Sequence, residues 1–516
     1  MIDNIIEKIE SVIHCTNFSR LGRCFRTRKN YYFYDLGTGK VFQVNKVTFD
    51  ILNNMLNYNG FSHIDEINYS ESEKMSALEE LYDVIIKENI LQAPELTEFI
   101  GPQISELDEF LRSKRKQITL ELTEKCNMRC KYCIYHENQG GYRRFGNADM
   151  TFDIAKKAID DLVINSGEET IHVTFYGGEP LLKFNLIKNC IDYCKNFKDK
   201  KISYAITTNC TLVTKEIAEY FSKLKNLHIT ASLDGPKDIN DKYRVYINGK
   251  GTFKDAIAGL KLLVDMCRHE NSITFGINCV LPEHDISTLE KIDNFFSSLE
   301  WLPENVIFTS SFVSSGEREM DYMGVDSEIE KEIMENSKKI KGYFDPLYEW
   351  ATSDINKSEF AFRNIAKDNI IKDLALIHKR HLFHHPMKFY YMNGCCVPGA
   401  RRVYVTAKGE YLICEKLGEA PSIGDVYSGL DIEKIKKHYV NDYCNEALKY
   451  CKDCWAIHLC GMCYMNCYDK NGIHISYRHS HCIMNRIYIE KNLSLYHELL
   501  ENNPKIIEGL NDYVFT

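Results

Sequence analysis

The stretch TEKCNMRCKYCIYH, residues 123–136, holds Cys126, Cys130 and Cys133 in a C-x3-C-x2-C spacing. Cysteine thiolates are the usual ligands of iron–sulfur clusters, and a cubane cluster has four irons to be ligated. Three closely spaced thiolates therefore leave one iron without a protein ligand. An open metal position can coordinate a substrate or cofactor, as in catalytic zinc sites. The spacing predicts a metal centre at which a reaction takes place.

A structural zinc ion is the alternative interpretation of a short cysteine cluster. Zinc needs a fourth ligand, and His136 follows closely enough in sequence to supply it. Both interpretations remain open on the triplet alone.

Composition restricts the class of protein. The chain has 516 residues, 44% of them hydrophobic, and a formal net charge of −9, so length predicts about three domains and the charge predicts no nucleic-acid partner. No window offers the ~20 apolar residues of a membrane helix, and no signal peptide is recognisable. The 20 cysteines bunch in two groups, which favours metal ligation in a reducing compartment over disulfides. We expect a soluble cytoplasmic protein with no membrane partner.

Between residues 117 and 313 a strand and a helix alternate, and Thr151 is placed to cap one of the helices. β-branched strands with turn-like ends are typical of a buried parallel sheet. Six such units predict an α/β fold, a (β/α)6 partial TIM barrel. The six predicted strands are residues 117–123, 171–176, 202–208, 227–234, 273–281 and 306–313.

The chemistry-bearing motifs follow these strands. Ligand residues of parallel α/β sheets gather at the carboxyl ends of the strands. The cysteine triplet follows the first predicted strand, GGEP (177–180) the second, Asn209 the third, and Ser232 with Asp234 the fourth. We expect these groups to lie together at one end of the barrel.

The triplet, with Tyr132 before its last cysteine, resembles the signature of radical S-adenosylmethionine (SAM) enzymes. The resemblance implies that SAM chelates the open iron and is cleaved to a 5′-deoxyadenosyl radical that abstracts hydrogen. It implies that GGEP holds the SAM ammonium, that Asn209, Ser232 and Asp234 lie near its ribose and methionyl parts, and that Arg244 pairs with its carboxylate. Tyr132 would pack against the adenine. The cofactor-binding residues so implied are Tyr132, Gly177, Gly178, Glu179, Pro180, Asn209, Ser232, Asp234 and Arg244.

The second cysteine group begins at Cys396, continues through Gly409 to Cys414, and ends at Cys482. It resembles the SPASM pattern, which holds two auxiliary [4Fe-4S] clusters, making three clusters in all. The resemblance implies one cluster on Cys451, Cys454, Cys460 and Cys482, and another on Cys396, Cys414 and Cys463. Zinc ribbons remain the alternative.

Four residues of this region are left with open roles. Cys463 fits the SPASM pattern only with a one-residue deletion, so Cys467 is an alternative ligand. Cys395 is either a fourth ligand or a free thiol that would leave an open iron. Glu415, after Cys414, stands where related sulfatase-maturing enzymes have an acidic general base.

The first hundred residues differ in character. The segments YYFYDL and KVFQV are joined by Gly37-Thr38-Gly39 and are followed by two helical stretches, which predicts a β-hairpin with helices. This module resembles the RiPP recognition element, a winged-helix-like domain of enzymes that modify ribosomally made peptides. Such a domain can bind a leader peptide at a strand edge by β-augmentation.

Together the three parts resemble the SPASM maturases that form thioethers in sactipeptides and ranthipeptides. Three segments add to that likeness: HHPM (384–387), GARRVYV (399–405) and CWAIHLC (454–460). The implied activity is that of a radical SAM oxidoreductase joining Cys sulfur to carbon in a precursor peptide, with flavodoxin or ferredoxin as electron donor. Formylglycine formation and carbon–carbon crosslinking are alternatives on the same scaffold, and a non-catalytic peptide-binding or electron-transfer protein is a third.

The predicted units are 1–100 (leader-binding domain), 115–315 (radical SAM core, where the Cys-containing core peptide reacts), 316–389 (helical connector), 390–490 (SPASM domain) and 491–516 (C-terminal helix or tail).

Overall fold

The computed structural model describes residues 2–135, 145–281, 286–312, 364–392, 394–465 and 467–514. Most of the predicted connector and His136 lie outside the described residues. Among the described residues, no helix is both long enough and apolar enough to cross a bilayer.

The N-terminal module is a three-stranded antiparallel sheet with three helices. The predicted hairpin is confirmed. The first strand and the first helix of the module were not predicted. Gly39, with φ +71°, takes the left-handed conformation that the turn requires, and Ser70 and Glu73 form a capping box at the start of the third helix. In chain order the elements are α1 (Ile2–Val12), β1 (Gly22–Arg26), β2 (Tyr31–Asp35), β3 (Val41–Val44), α2 (Lys46–Asn57) and α3 (Glu71–Glu88).

A short connection leads from this module into the barrel. It consists of β4 (Phe99–Ile100), α4 (Pro102–Ser105) and α5 (Leu107–Ser113). β4 pairs in parallel with a two-residue strand far along the chain, β11 (Tyr390–Tyr391), so the N-terminal segment and the start of the cysteine-rich region are tied together.

The barrel strands confirm the predicted α/β fold. Six parallel strands lie side by side in chain order. Thr151 caps the first barrel helix through a hydrogen bond to the Ile154 N–H, as the sequence predicted. The strands are β5 (Gln117–Glu121), β6 (Thr170–Tyr176), β7 (Lys201–Thr208), β8 (Leu227–Ser232), β9 (Ile273–Leu281) and β10 (Ile307–Phe312), and the helices are α6 (Phe152–Asn165), α7 (Phe184–Cys194), α8 (Lys215–Phe221), α9 (Lys237–Tyr243), α10 (Phe253–Cys267) and α11 (Ile286–Ser297).

The sheet continues beyond the predicted barrel. Strand β12 (Val403–Val405) pairs in parallel with β5, and β13 (Glu410–Leu412), β14 (Gly424–Asp425) and β15 (Gly429–Leu430) follow as antiparallel neighbours. The result is a ten-stranded mixed sheet to which the cysteine-rich region contributes four strands. This extension was not predicted, because three-residue strands show too little periodicity to be recognised.

The remaining elements surround the cysteine-rich loops. A single helix from His479 to Asn502 runs through the predicted boundary at residue 490. It packs against the N-terminal sheet, where the Phe25 and His497 ring centroids lie 5.1 Å apart and the Tyr32 hydroxyl donates to Glu501 Oε1 at 2.6 Å. These elements are α12 (Asn364–His378), α13 (Ile432–Ile435), α14 (Asp442–Cys451), β16 (Tyr468–Asp469), β17 (Gly472–Ile473), α15 (His479–Asn502) and α16 (Pro504–Glu508).

Candidate functional site

The cysteine triplet lies in a loop that follows β5. Two hydrogen bonds fasten this loop to the end of α9 and the residues just after it: Arg129 N–H donates to the Val245 carbonyl at 2.8 Å, and Lys131 N–H donates to the Tyr243 carbonyl at 3.0 Å. The loop is therefore held along its length before any metal binds.

The three thiols fit a metal centre that displaces protons. Burial raises the pKa of Cys126 to about 12 and that of Cys133 to about 11, and it also raises the pKa of Cys130. Thiols in this state bind a metal only when their protons are displaced and released to solvent or a base. The Met128 N–H already donates to Cys126 Sγ at 3.4 Å, the kind of contact that stabilises a cluster-bound sulfur.

The zinc interpretation of the triplet requires a fourth ligand beside the three thiols. Across the described ranges, no three His, Cys, Asp or Glu side chains converge closely enough to hold one metal ion. A cubane carries its irons at separate corners and spaces its ligands more widely than a single ion does. The fourth ligand of the zinc alternative, His136, lies outside the described residues.

The GGEP turn packs directly against the cysteine loop. A Cβ on Gly177 would come within 2.5 Å of the Thr123 carbonyl oxygen, and one on Gly178 within 2.1 Å of the Lys125 carbonyl oxygen. Gly178 N–H donates to the Thr123 carbonyl at 2.8 Å. Glycine is required at both positions because backbone meets backbone here.

Glu179 ties this turn to the next strand. Its buried carboxylate accepts hydrogen bonds from Leu181 N–H at 3.0 Å, Thr208 Oγ1 at 2.8 Å and Asn209 N–H at 2.8 Å. Burial raises the pKa of Glu179 even though these donors oppose the shift. The carboxylate thus supports the turn from within, and the implied ammonium contact stays a prediction, as it does for Pro180.

Asn209 connects the end of β7 to the cysteine loop. Its Nδ2 donates to Asn127 Oδ1 at 3.0 Å, and Asn127 Nδ2 donates to Thr211 Oγ1 at 2.8 Å. Asn127 directly follows Cys126, so a change at Asn209 would reach the triplet. Sequence reasoning missed Asn127 and Thr211, because an amide or hydroxyl between motifs carries no spacing signal.

Tyr132, Asp234 and Arg244 form a buried polar cluster. The Tyr132 hydroxyl donates to Asp234 Oδ2 at 2.5 Å, and Arg244 Nη1 donates to the Tyr132 oxygen at 2.7 Å. Arg244 is 6% exposed and Asp234 is 1% exposed. Ser232, two residues before Asp234, ends β8 opposite Asn278 of β9. The sequence indicated each of these residues, but not that three of them bond to one another.

A second polar cluster anchors the start of the cysteine loop. Asp149 accepts hydrogen bonds from Thr123 Oγ1 at 2.6 Å, Lys125 Nζ at 2.9 Å and Lys183 Nζ at 2.5 Å. Burial opposes ionisation of Asp149, but these three donors outweigh it and lower the pKa of its carboxyl to about 2.

We expect Asp149→Asn to destabilise the apo chain by about 1 kcal/mol at pH 7, because solvent screens this partly exposed carboxyl. A carboxyl whose pKa is lowered by folding contributes stability that is present above its unfolded pKa and is lost as the pH falls through its folded pKa. The difference in the free energy of unfolding between the unchanged protein and Asp149→Asn should therefore fall by about half at pH 3. Unfolding midpoints of both proteins at both pH values check this. A stability difference that does not depend on pH would contradict the ion-pair account.

The second cysteine group is assembled around the β12–β13 hairpin. Burial, together with Glu415 and Cys463, raises the pKa of Cys414 to about 12. Burial lowers the pKa of Arg402, but Glu415, Cys414 and Cys396 outweigh this and raise it. These mutual electrostatic effects indicate that Cys396, Cys414 and Cys463 lie near one another.

Glu415 is held by an ion pair within this neighbourhood. Both of its oxygens accept from Arg402 Nη1, at 2.8 and 2.9 Å. The implied role of Glu415 as a general base stays a prediction, and any such role would begin from a carboxylate that Arg402 already positions.

Cys463 and Cys467 differ in their surroundings. Cys463 Sγ accepts the Met465 N–H at 3.3 Å, as Cys126 accepts the Met128 N–H. Cys467 is fully buried and donates to the Tyr464 carbonyl at 2.9 Å. Cys395 packs beside the same segment, with its thiol 3.9 Å from the Met462 carbonyl oxygen.

The other proposed ligand set meets helix α15. Asn485 Nδ2 donates to Cys460 Sγ at 3.6 Å, and Cys482 lies three residues before Asn485, on the same helix face. Cys454 lies near the N-terminal module, close enough to contribute to the raised pKa of the Tyr34 hydroxyl. Cys451 is the last residue of α14.

A buried tyrosine links the two cysteine regions. The Tyr404 hydroxyl of β12 donates to Glu121 Oε1 at 3.0 Å and lies 3.3 Å from the Tyr135 hydroxyl, two residues after Cys133. The Ala407 N–H donates to the other oxygen of Glu121 at 3.0 Å. Sequence reasoning missed these contacts, since Glu121 and Tyr404 are 283 residues apart.

Comparisons with known proteins match one part of the chain to a family and show a similar fold. Residues 120–296 match the family model described as the Radical SAM superfamily, and this part of the chain has the radical SAM α/β fold. The solved structure of native anSMEcpe with bound AdoMet and the Kp18Cys peptide superposes with a TM-score of 0.52 at 18% identity, covering 77% of this chain and all of that one. That likeness shows that the two chains share an α/β fold.

Two curated relatives align over the same domain. An uncharacterized protein of Methanocaldococcus jannaschii is 39% identical over 34% of this chain and 56% of its own length. The cysteine-type anaerobic sulfatase-maturating enzyme of Clostridium novyi is 30% identical over 34% of this chain and 46% of its own length. The chain thus spans about half the length of these curated relatives.

Proposed function

We propose that this protein is a radical SAM enzyme that installs thioether bonds between Cys sulfur and carbon in a ribosomally made peptide. One observation carries the proposal: two separate cysteine groups are built onto one strand. The triplet follows β5, and the β12–β13 hairpin, flanked by Cys396 and Cys414, pairs with β5 along its other edge.

The register of that pairing sets the spacing of the two centres. Val403 pairs with Ile118, so Arg402 and its partner Glu415 lie near the start of β5, whereas the triplet follows its end. A five-residue strand is about 16 Å long at ~3.3 Å per residue. The two centres would be separate but neighbouring, which suits a reaction with one radical-generating cluster and one auxiliary cluster.

The residues present fit SAM and a [4Fe-4S] cluster. Three thiols would ligate three irons, the GGEP turn and Arg244 would meet the amino-acid part of SAM, and Asn209 and Ser232 would lie nearby. Bound SAM and a reduced cluster would supply a radical able to take hydrogen from the acceptor carbon. Cys396, Cys414 and Cys463 would hold the group that accepts the surplus electron, and the donor thiol would release its proton as the C–S bond forms. The reducing electron would come from flavodoxin or ferredoxin.

The N-terminal module would bind the leader part of the substrate at strand β3. Among the described strands, β3 pairs with β2 alone. Asp35 N–H donates to the Lys40 carbonyl, and because hydrogen-bonded pairs alternate along an antiparallel ladder, Val41 and Gln43 point their N–H and C=O groups away from β2. These groups can pair with an added strand.

Helix α3 lies along this edge and would form the other wall of the groove. Lys40 Nζ contacts Glu88 Oε2 at 2.9 Å at one end, and Asn45 Nδ2 contacts Glu80 Oε2 at 3.4 Å at the other. The opposite side of the sheet is packed against α15. A leader peptide would therefore find its pairing edge at β3.

We expect Gln43→Pro to weaken leader binding at least about tenfold. Proline removes the outward N–H of Gln43 but spares the β2–β3 hydrogen bonds, so the module should stay folded. Fluorescence anisotropy of a labelled leader peptide measures the effect, with Gln43→Ala as the matched control that keeps the N–H. Equal binding by the two variants would refute pairing at β3.

A formylglycine-forming maturase is the second candidate, favoured by the similarity to the Clostridium novyi enzyme and by the position of Glu415. Carbon–carbon crosslinking on the same scaffold is a further variant. Peptide mass separates them, because a thioether removes two hydrogens and blocks one thiol, whereas formylglycine formation converts the thiol itself. Absence of SAM cleavage would support a non-catalytic protein instead.

A further inference from the structure

The buried cluster of Tyr132, Asp234 and Arg244 is a chain of contacts that ends on Arg244. Asp234 Oδ1 accepts the Val280 N–H at 3.0 Å and lies 3.8 Å from Arg244 Nη1, while Oδ2 accepts the Tyr132 hydroxyl. The Asp234 carboxylate is thus occupied on both oxygens by groups of the protein. Its position is fixed by strand β9, to which Val280 belongs.

Arg244 is fixed from both its backbone and its side chain. Its neighbours Tyr243 and Val245 accept hydrogen bonds from the cysteine loop on either side, and its carbonyl accepts from Thr252 Oγ1 at 2.9 Å. Both side-chain contacts to the cluster fall on Nη1. Within the described residues, none accepts a hydrogen bond from Nε or Nη2.

Nε and Nη2 are the pair of donors that an arginine uses to grip a carboxylate with two parallel hydrogen bonds. A nearly buried guanidinium needs acceptors for these donors. The implied ligand at this place, SAM, carries an α-carboxylate. Nη1 is therefore bound by groups of the protein, whereas Nε and Nη2 are available to bind a ligand.

We propose that Tyr132 and Asp234 are positioning residues, which hold Arg244 by Nη1 so that its Nε and Nη2 bind the carboxylate of the cofactor. This inference rests on the proposed SAM site. It assigns Tyr132 and Asp234 roles other than the adenine and ribose contacts that the sequence resemblance implied. Neither side chain needs to touch the nucleoside.

Equilibrium dialysis of the anaerobically reconstituted full chain tests this with SAM and with decarboxylated SAM, which lacks the carboxylate. Tyr132→Phe removes only the hydroxyl, and we expect it to weaken SAM binding about tenfold while leaving the decarboxylated analogue within about twofold. Asp234→Asn should act in the same direction. Tyr243→Phe is the matched control, since the Tyr243 ring lies 6.1 Å from the Tyr132 ring outside the chain of contacts.

A double-mutant cycle separates positioning from general damage. In an Arg244→Ala background, Tyr132→Phe should add no further loss of SAM affinity, because the group that it positions is gone. Equal weakening of both ligands, additive losses, or loss of iron from Tyr132→Phe would each overturn the proposal. If the unchanged chain bound no SAM, the proposed function itself would fail, which is a distinct result.

Discussion

Replacing Cys126, Cys130 and Cys133 together by alanine is expected to remove about four irons per chain and to abolish reductive SAM cleavage. The three thiols lie in one loop held between the GGEP turn and the segment after α9. No other described cysteine shares that loop. The proposed ligands of the two auxiliary clusters lie outside this loop, so about eight irons should remain.

Iron analysis and chromatography of 5′-deoxyadenosine after reduction with dithionite measure this effect. Cys190→Ala is the matched control, because Cys190 is buried within α7 and has no predicted role, so it should keep both the iron and the activity. SAM cleavage that survives the triple replacement would show that the triplet does not hold the reactive centre.

The second large effect concerns the auxiliary centre. We expect Cys463→Ala to lose up to about four irons and all crosslinked product, while SAM cleavage persists at the triplet. Cys463 acts electrostatically on Cys414 and accepts a backbone N–H. Cys467 instead donates to a carbonyl within its own turn, so Cys467→Ala should retain the full iron content.

Parallel iron counts and product masses for these two variants check this assignment. The comparison is matched because the two cysteines lie four residues apart in the same segment. Iron loss from Cys467→Ala with full retention in Cys463→Ala would reverse the assignment, and retention in both would point to Cys395 with Cys396 as the local ligands.

Local sequence patterns were enough to predict the barrel. Each predicted strand matches an observed one with its ends shifted by at most two residues, because buried parallel strands are long, β-branched and bounded by turns. Thr151 was found as a cap for the same reason, since an N-cap is read from a few neighbouring residues. The hairpin around Gly37–Gly39 was found from its turn.

Contacts between distant segments were beyond sequence reasoning. Tyr404 meets Glu121, and Tyr132 meets Asp234 and Arg244, through pairings that no periodicity encodes. Asp234 was predicted from its motif to contact the cofactor, whereas its observed partners show a carboxylate already engaged by groups of the protein. Side-chain roles of this kind depend on tertiary packing, which a single sequence does not reveal.

The N-terminal module and the cysteine-rich region form one continuous assembly. Phe383 and Met387 donate backbone hydrogen bonds to the Thr38 and Gly37 carbonyls in the β2–β3 turn, and the chain then passes through β11 to Cys395 and Cys396. Leader binding at β3 would therefore place the rest of a peptide beside the auxiliary centre. This arrangement agrees with a maturase that recognises one part of a peptide and modifies another.

The most direct test of the central claim is an anaerobic reaction of the reconstituted chain with reductant, SAM and a Cys-containing candidate precursor deuterated at carbon. The account predicts deuterium in 5′-deoxyadenosine, together with a peptide that has lost one carbon-bound deuterium and one thiol proton per crosslink and has one fewer thiol open to alkylation. An unchanged peptide mass with no deuterium transfer, or a product whose sulfur has been lost, would contradict thioether formation.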